Sequence, residues 1–503
     1  MTGRLHAAVL LILLVPACRG PVHTTEPRPP HATQAAPQAA TPPPLDAALR
    51  TLLADPALAR ASWGLHVESL STHRTLASID ADRLLTPAST MKVATLAVAA
   101  EQLGWDARVE TTLHAAGRIE HGVLQGDLVV VGAGDPTLDD WDGAATAQFT
   151  AWASALRAAG ISRVEGRVIA DDRAFGGPGL GSGWAWDDTP FAYSAPVSAL
   201  SFNQNAARVT ITPDAPATLA RIDVTPPYAP VRLRNDVRTV SDGVARPVVL
   251  RPAEGDRPLS ITGQVSALAP PVARVVAVAD SAAYYASALR EGLRQAGLEV
   301  TGEALSVRSL SADSQPVVTP DTQRAVRRSP TLAEMATTMM RLSQNLYAES
   351  LLRIVGRTIE GEGSAAAGRD VVQRRLRAWH IPQESVRMAD GSGLSRYNLI
   401  SPRALVQILT HVAADPALGP TFTEVLPVAG RSGTLARRLQ GTSAAGRVRA
   451  KTGSFTHARS LAGYVDTVHG DRLAFAFVVN DYGVDGSEVD RIADAMLSTL
   501  VER

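Results

Sequence analysis

Cysteine and net charge are the features this sequence has least of. Its 503 residues include one cysteine, Cys18, so no intramolecular disulfide can form and packing alone has to hold the fold. Acidic and basic residues total 49 each, so the formal net charge is zero. We therefore expect no broad cationic surface and no nucleic-acid partner. With 45% hydrophobic and 19% charged residues, the composition is globular and long enough for two or three domains.

Lysine is almost absent as well. Of the 49 basic residues only Lys92 and Lys451 are lysines, and the others are arginines. A GC-rich coding sequence explains a general replacement of lysine by arginine. A lysine that survives this bias indicates a position where arginine is not tolerated, because a buried lysine can lose its proton and an arginine cannot. Both lysines are therefore candidate functional residues.

The first 44 residues differ in character from the rest. Arg4 and the short apolar run over 7–15 predict an export signal that is too short to stay as a membrane span. A small residue precedes Cys18, which predicts a lipoprotein signal over 1–18 with Cys18 lipidated; an ordinary signal peptide is the alternative. Residues 19–44, rich in proline, alanine and threonine, predict a tether. We expect an exported, periplasmic protein that a lipid alone holds to the membrane, the outer membrane being favoured.

Hydrophobic spacing predicts a chain with both helices and strands. Residues 91–103 are apolar on nearly every helical face, which predicts a buried central helix. Residues 447–455, 460–468 and 472–481 predict consecutive antiparallel strands. The region from about 106 to 325 has short strands with frequent proline and glycine, and we interpret it as inserted material. Helical spacing recurs at 45–53, 144–159, 281–296, 345–356 and 487–501, and a hairpin is predicted over 63–79.

The segment Ser89-Thr90-Met91-Lys92 places a hydroxyl and an amine three residues apart. Positions i and i+3 share one face of a helix, so Ser89 Oγ and Lys92 Nζ can meet. A serine needs a base beside it to act as a nucleophile. Burial near a second cation would favour the neutral form of Lys92, which is the form that can accept a proton.

A second motif, Ser343-Gln344-Asn345, offers a hydroxyl and an amide. The Ser343 hydroxyl could relay a proton between Lys92 and a leaving group. The Asn345 amide could hold a substrate carbonyl together with the Lys92 ammonium. The motif is short and indicates little by itself.

A third motif, Lys451-Thr452-Gly453-Ser454, lies in a predicted strand. Lys451 supplies a fixed positive charge and Thr452 a hydroxyl, and both suit a substrate carboxylate. Gly453 leaves room for a substrate backbone along the strand edge. The backbone N–H groups of Ser89 and Ser454 would form an oxyanion hole.

The order S-x-x-K, S-x-N, K-T-G resembles the signature set of penicillin-binding proteins and serine β-lactamases. The chain is similar to the D-Ala-D-Ala carboxypeptidase/endopeptidase family typified by penicillin-binding protein 4, the S13 serine peptidases. Ser89 and Ser343 are 254 positions apart, which suits the long insertion that this family carries between its first two motifs. Further stretches that carry the resemblance are Gly126-Asp127-Leu128, Gly134 to Leu138, Tyr193 to Pro196, Asp390 to Arg396, and Leu426 to Gly430 with Gly433 to Leu435.

The resemblance implies an α/β (α+β) fold: a penicillin-binding/β-lactamase-like transpeptidase domain whose antiparallel sheet is flanked by helices and which carries inserted smaller domains. We assign 45–107 and 326–503 to this catalytic domain. Residues 108–139 and 229–325 are assigned to an inserted second domain, and 140–228 to a third domain nested in it.

The resemblance also implies roles for the motif residues. Ser89 would be the acylated nucleophile and Lys92 the proton acceptor, Ser343 and Asn345 would form the second motif, and Lys451 with Thr452 would hold the carboxylate. The implied substrates are peptidoglycan stem peptides, the implied inhibitors are β-lactams, and no cofactor or metal is expected.

Three residues of the insertion are candidates for a substrate side-chain pocket, namely Trp186, Asp187 and Tyr193, with Asp187 or its neighbour Asp188 meeting an amine of the peptide. Local packing of the aromatic rings is the alternative. At the level of function, the alternatives to a carboxypeptidase are a β-lactamase or esterase on the same scaffold and a non-catalytic cell-wall binding protein.

Overall fold

The computed structural model of the chain describes residues 44–141, 143–241, 246–252 and 258–503. The predicted signal, Cys18 and nearly all of the tether lie outside these residues. Residues 44–503 form one compact unit. Across the described ranges, no helix combines the length and the apolar character that a bilayer span requires.

The described part of the chain contains ten α-helices. In chain order they are α1 Leu45–Leu53, α2 Lys92–Leu103, α3 Ala144–Ala158, α4 Ser281–Gln295, α5 Leu332–Arg341, α6 Asn345–Glu360, α7 Ala365–Ala378, α8 Pro402–Ala414, α9 Gly419–Val425 and α10 Gly486–Val501.

The same residues contain twenty strands. They are β1 Ser62–Ser69, β2 Thr75–Ile79, β3 Glu110–Glu120, β4 Val123–Val131, β5 Arg163–Val164, β6 Val168–Asp171, β7 Ala206–Thr212, β8 Arg221–Thr225, β9 Leu233–Val240, β10 Val249–Arg251, β11 Leu259–Ser266, β12 Val272–Ala277, β13 Glu299–Val300, β14 Ala304–Ser306, β15 Gln323–Arg328, β16 Val386–Arg387, β17 Leu399–Ile400, β18 Val448–Phe455, β19 Ala458–Asp466 and β20 Arg472–Asn480.

A five-stranded antiparallel sheet, in the order β18-β19-β20-β1-β2, is the centre of the fold. Both faces of this sheet are buried, as the residues of strand β20 show. Ala474, Ala476 and Val478 pack among α2, α5, α6 and α8, whereas the alternating residues Leu473, Phe475, Phe477 and Val479 pack against α1 and α10. The predicted antiparallel sheet flanked by helices is therefore confirmed.

Helix α2 is the buried central helix that the apolar residues of 91–103 predict. Its residues from Lys92 to Ala100 are all buried, and it packs between α6 and α8. The helix ends at Gly104, whose φ of +79° is readily adopted only by glycine. A charged side chain at the buried first position, Lys92, is exceptional in such a helix and marks the site.

Three further sheets are built from strands between α2 and α5. The largest has seven strands and contains β3, β4, β5, β6, β13, β14 and β15, and two three-stranded sheets have the orders β12-β7-β8 and β10-β11-β9. Pairing of β4 with β6 and of β7 with β12 joins strands on opposite sides of the assigned inner boundaries at 139/140 and 228/229. Those boundaries stay a prediction.

Candidate active site

Ser89 lies directly before the buried central helix. Residues Ala88–Met91 form a 3-10 turn that leads into α2. Side chains three residues apart eclipse each other in such a turn. Lys92 Nζ lies 3.0 Å from Ser89 Oγ. The predicted contact between the two side chains is confirmed, although the backbone at the serine is a 3-10 turn and not the first turn of an α-helix.

Lys92 has two further oxygen partners in a fully buried position. Its Nζ donates to Asn345 Oδ1 at 2.6 Å and to the backbone carbonyl of Ser392 at 2.7 Å. Both oxygens can only accept, and a neutral amine has two N–H donors. When Lys92 is neutral, these contacts use both donors and leave the nitrogen lone pair for the hydroxyl of Ser89.

Burial favours this neutral form. Burial lowers the pKa of Lys92 to about 7, even though the negative charges of Asp390 and Glu349 act in the opposite direction. The predicted effect of burial is therefore confirmed. The predicted repulsion between the lysines affects Lys451 and not Lys92. Burial and then the charge of Lys92 lower the pKa of Lys451, whereas Lys451 is not among the causes of the shift in the pKa of Lys92.

Lys451 occupies the middle of β18 and is fully buried. Its Nζ donates to Ser343 Oγ at 2.9 Å and to the Thr452 carbonyl at 2.7 Å. Burial, and then the charge of Lys92, hold the pKa of Lys451 well below its ordinary value. An anion bound beside Lys451 would favour its charged form, and the expected positive charge stays a prediction.

The second motif lies between α5 and α6 and divides its contacts between the lysines. Ser343, whose φ is +58°, accepts a hydrogen bond from Lys451 and not from Lys92, contrary to the expected relay. Asn345 accepts from Lys92, as expected, but its Nδ2 donates to the carbonyl of Tyr193 at 2.8 Å. The amide donor expected to face a substrate carbonyl is therefore bonded to the insertion.

The third motif brings β18 against the nucleophile. A Cβ added to Gly453 would collide with Ser460 Oγ and lie 2.5 Å from the Pro87 carbonyl and 3.0 Å from Ser89 N. Only glycine allows this approach of strand to turn. Thr452 Oγ1 donates to Thr434 Oγ1 at 2.7 Å, and Ser454 is exposed at the strand end. The oxyanion-hole role of Ser89 and Ser454 stays a prediction.

A segment of the insertion, residues 182–193, arches over the edge of the site and is called the arch below. Trp184 Nε1 donates to Asp390 Oδ2 at 2.8 Å at one end, and the Tyr193 carbonyl accepts from Asn345 at the other. Between these anchors Trp186 is 58% exposed and Asp187 is exposed, and Tyr193 is 45% exposed. Tyr193 nevertheless packs locally, because its ring stacks on Phe191 with the centroids 5.4 Å apart and its hydroxyl donates to Asp188. The pocket role of all three residues stays a prediction.

Several residues of the site were not assigned from the sequence. The Ser392 carbonyl holds Lys92, Ser460 Oγ donates to the Pro87 carbonyl at 2.5 Å, and Thr434 meets Thr452. A backbone carbonyl leaves no trace in a sequence, and single serines and threonines are too common to stand out. The stretch Asp390 to Arg396 carries part of the family resemblance, but the sequence does not show that its Ser392 carbonyl contacts Lys92.

The chain matches the family described as D-Ala-D-Ala carboxypeptidase 3 (S13) over residues 45–502. The chain belongs to this family. The resemblance stated from the motifs is thereby confirmed.

Relatives in the S13 family agree with this assignment. A D-alanyl-D-alanine carboxypeptidase from Actinomadura sp. (strain R39) is 34% identical over 465 residues, covering 90% of this chain and 83% of the relative. D-alanyl-D-alanine carboxypeptidase DacB from Haemophilus influenzae is 27% identical, covering 84% of this chain and 86% of the relative. The crystal structure of penicillin binding protein 4 from the same organism superposes with a TM-score of 0.79 at 25% identity, covering 90% of this chain and 99% of that structure.

Proposed function

We propose that this S13 enzyme is a serine-type D-Ala-D-Ala carboxypeptidase that acts on peptidoglycan stem peptides through an acyl-enzyme on Ser89. The observation that carries the proposal is the contact of 3.0 Å between Lys92 Nζ and Ser89 Oγ, with both Lys92 donors directed at acceptors. A β-lactam complex of Haemophilus influenzae penicillin binding protein 4, which superposes with a TM-score of 0.75 at 24% identity, shows the same fold.

The contacts of Lys92 support the following first half of the reaction. Neutral Lys92 takes the hydroxyl proton as Ser89 Oγ attacks the carbonyl of the penultimate D-Ala. The backbone N–H groups of Ser89 and Ser454 stabilise the oxyanion. Lys451 and Thr452 hold the terminal carboxylate, whose charge in turn favours protonated Lys451.

The second half needs a proton for the leaving amine. Ser343 Oγ accepts from Lys451 at 2.9 Å, so its own hydroxyl proton is free to be donated. Ser343 therefore protonates the leaving D-Ala and is reprotonated by Lys451, while Lys92 keeps the proton taken from Ser89. When water attacks the acyl-enzyme, its proton passes through Ser343 to neutral Lys451, and Lys92 returns its own proton to Ser89 Oγ. Penicillins would acylate Ser89 by the same first step. Peptide cross-links that contain the same D-configured bond are the expected substrates of an endopeptidase activity.

The arch would recognise the stem-peptide side chain through Trp186, Asp187 and Tyr193. These side chains are exposed on the arch, which Asn345 contacts through the Tyr193 carbonyl. Substitution Asp187→Asn should raise KM for a peptide that carries a side-chain amine and leave an acetylated peptide unaffected. Equal changes for both peptides would remove Asp187 from the pocket.

The experiment that tests the function compares two substrates. Wild-type protein should release D-Ala from a pentapeptide ending in D-Ala-D-Ala, and Ser89→Ala should release none. Rapid nitrocefin hydrolysis without D-Ala release would instead favour a β-lactamase. Peptidoglycan binding that survives Ser89→Ala, with no turnover of any peptide, would favour a non-catalytic binding protein.

We also propose that the protein is exported and lipidated at Cys18, with the periplasmic face of the outer membrane as its location. The support is the order of Arg4, apolar run, small residue and cysteine in the sequence. Labelled palmitate should enter the wild type and not Cys18→Ala. Equal labelling, or label in neither protein, would exclude the anchor.

A further inference from the structure

The Ser392 carbonyl that holds Lys92 belongs to the loop 390–395 between β16 and β17. Added Cβ atoms at two positions show how closely the loop is wedged. At Gly393, whose φ is +82°, the atom would overlap the Ala88 carbonyl, and at Gly391 it would lie 2.9 Å from the Ala348 carbonyl. The loop is therefore fixed between the turn that carries Ser89 and helix α6.

Asp390 is the centre of this loop and is only 1% exposed. Its carboxylate receives four hydrogen bonds, from Gly393 N at 2.8 Å, Asn398 Nδ2 at 2.7 Å, Ser395 N at 2.6 Å and Trp184 Nε1 at 2.8 Å. All four partners are neutral donors. The carboxylate thus accepts from all four of these partners.

Three charged side chains act on or face Lys92 from the packed elements: Asp390 from the loop, Glu349 from α6 and Lys451 from β18. Glu349 is engaged elsewhere, because it pairs with buried Arg353 at 3.4 Å and accepts from Ser392 N at 2.7 Å. Burial and Asp390 also raise the pKa of Glu349, which weakens its charge. Of the two carboxylates, Asp390 therefore has the larger effect on Lys92.

We propose that Asp390 is a positioning residue for Lys92: its buried carboxylate shapes the loop that presents the Ser392 carbonyl to the base, and it supplies the negative charge of that loop. Trp184 ties this carboxylate to the arch, and Asn345 ties the arch to Lys92 from the other side. The insertion thereby helps to hold the base. The inference rests on the proposed function, since it requires Lys92 to act as the base for Ser89.

The test is the pH profile of acylation by a labelled penicillin, measured on the full chain carrying Asp390→Asn. Loss of the negative charge makes protonated Lys92 less stable. The acid limb of the profile, where the acylation rate falls because Lys92 becomes protonated, should therefore move to lower pH by about one unit. The plateau should fall about tenfold or more, because the asparagine amide faces N–H donors and disturbs the loop. A plateau loss with an unmoved limb would make Asp390 merely structural and would overturn the proposal.

A second variant guards against misfolding of Asp390→Asn. Trp184→Phe removes one N–H that offsets the carboxylate charge and keeps the charge itself, so its limb should move in the opposite direction, upward by about a third of a unit. The matched control is Asp172→Asn, a buried carboxylate bonded to Arg308 and Ser198, and it should leave the limb in place.

The role of Asp390 is supported if the acid side of the pH profile shifts in opposite directions in Asp390→Asn and Trp184→Phe. If Asp390→Asn does not fold, an upward shift in Trp184→Phe is sufficient support. An unmoved or lowered limb in Trp184→Phe overturns it, as does a limb shift in the Asp172 control. Wild type that is not acylated at any pH would contradict the proposed function itself, whereas acylated wild type with unmoved variant limbs contradicts this inference only.

Discussion

Two buried lysines with different neighbours define the chemistry at the residue scale. Lys92 faces a hydroxyl and two acceptor oxygens, which suits a base. Lys451 faces the Ser343 hydroxyl and its own strand, which suits a proton donor and anion holder. Their scarcity in the sequence pointed to both positions, but the different hydrogen-bond partners of the two lysines required the structure.

Replacing each lysine by arginine separates the two roles. Lys92→Arg keeps a charge that cannot be lost, so acylation by labelled penicillin should fall about 1,000-fold or more. Lys451→Arg should retain weak substrate binding and lose turnover. Rates and KM measured for both variants check this, and near-normal activity in both would show that the inference from lysine scarcity is wrong.

The lowered pKa of Lys92 predicts a pH dependence with a definite sign. Only neutral Lys92 can take the Ser89 proton, and its pKa is about 7. The acylation rate should therefore rise with pH through about 7 and level off above it, falling about tenfold per unit on the acid side. Rates from pH 5 to 9 test this. A rate that is flat, or that falls as pH rises through 7, contradicts a lysine base.

At the scale of elements, the periodic segments were predictable because burial dictates their spacing. Helix α2 has no polar face, and in β18, β19 and β20 residues on both faces of the sheet are buried, as a sheet covered on both sides requires. The predicted second of these strands, 460–468, lies two residues earlier as Ala458–Asp466. The short register error arises because a sequence pattern does not reveal which residues a turn uses.

The contacts between elements could not be predicted in the same way. The Tyr193 carbonyl that meets Asn345 and the Ser392 carbonyl that meets Lys92 are backbone groups, and a sequence gives them no distinguishing residue. The strand pairings that cross the assigned inner boundaries are likewise long-range, joining β7 to β12. Such pairings depend on topology and not on local propensity.

Gly453 offers a test of how closely strand and nucleophile must approach. Gly453→Ala places a methyl group against Ser460 Oγ, the Pro87 carbonyl and Ser89 N, so β18 must move away from the serine. Acylation should fall about 100-fold, as displacements near 1 Å do in other active sites.

The matched control for this substitution is Gly483→Ala, which adds a methyl group with no neighbour within 4 Å at an ordinary φ and should change nothing. Penicillin acylation rates of both variants, with thermal unfolding of each as a check on folding, decide the matter. Equal rates in both variants would show that the close approach is not required.

At the scale of the whole molecule, the chain combines a two-sided sheet core with insertions that reach back to the active site. The family could be recognised from three short motifs because their order is far more specific than any one of them. The arch connects the insertion to the active site. Its two anchors, Asp390 and Asn345, also act on or contact Lys92.

An acyl-enzyme on Ser89 is tested most directly by mass spectrometry of the protein after incubation with benzylpenicillin. We expect one adduct of the intact penicillin mass, on the peptide that contains Ser89, and no such adduct in Ser89→Ala. An adduct on another residue, equal labelling of wild type and Ser89→Ala, or no adduct at any time point would contradict it.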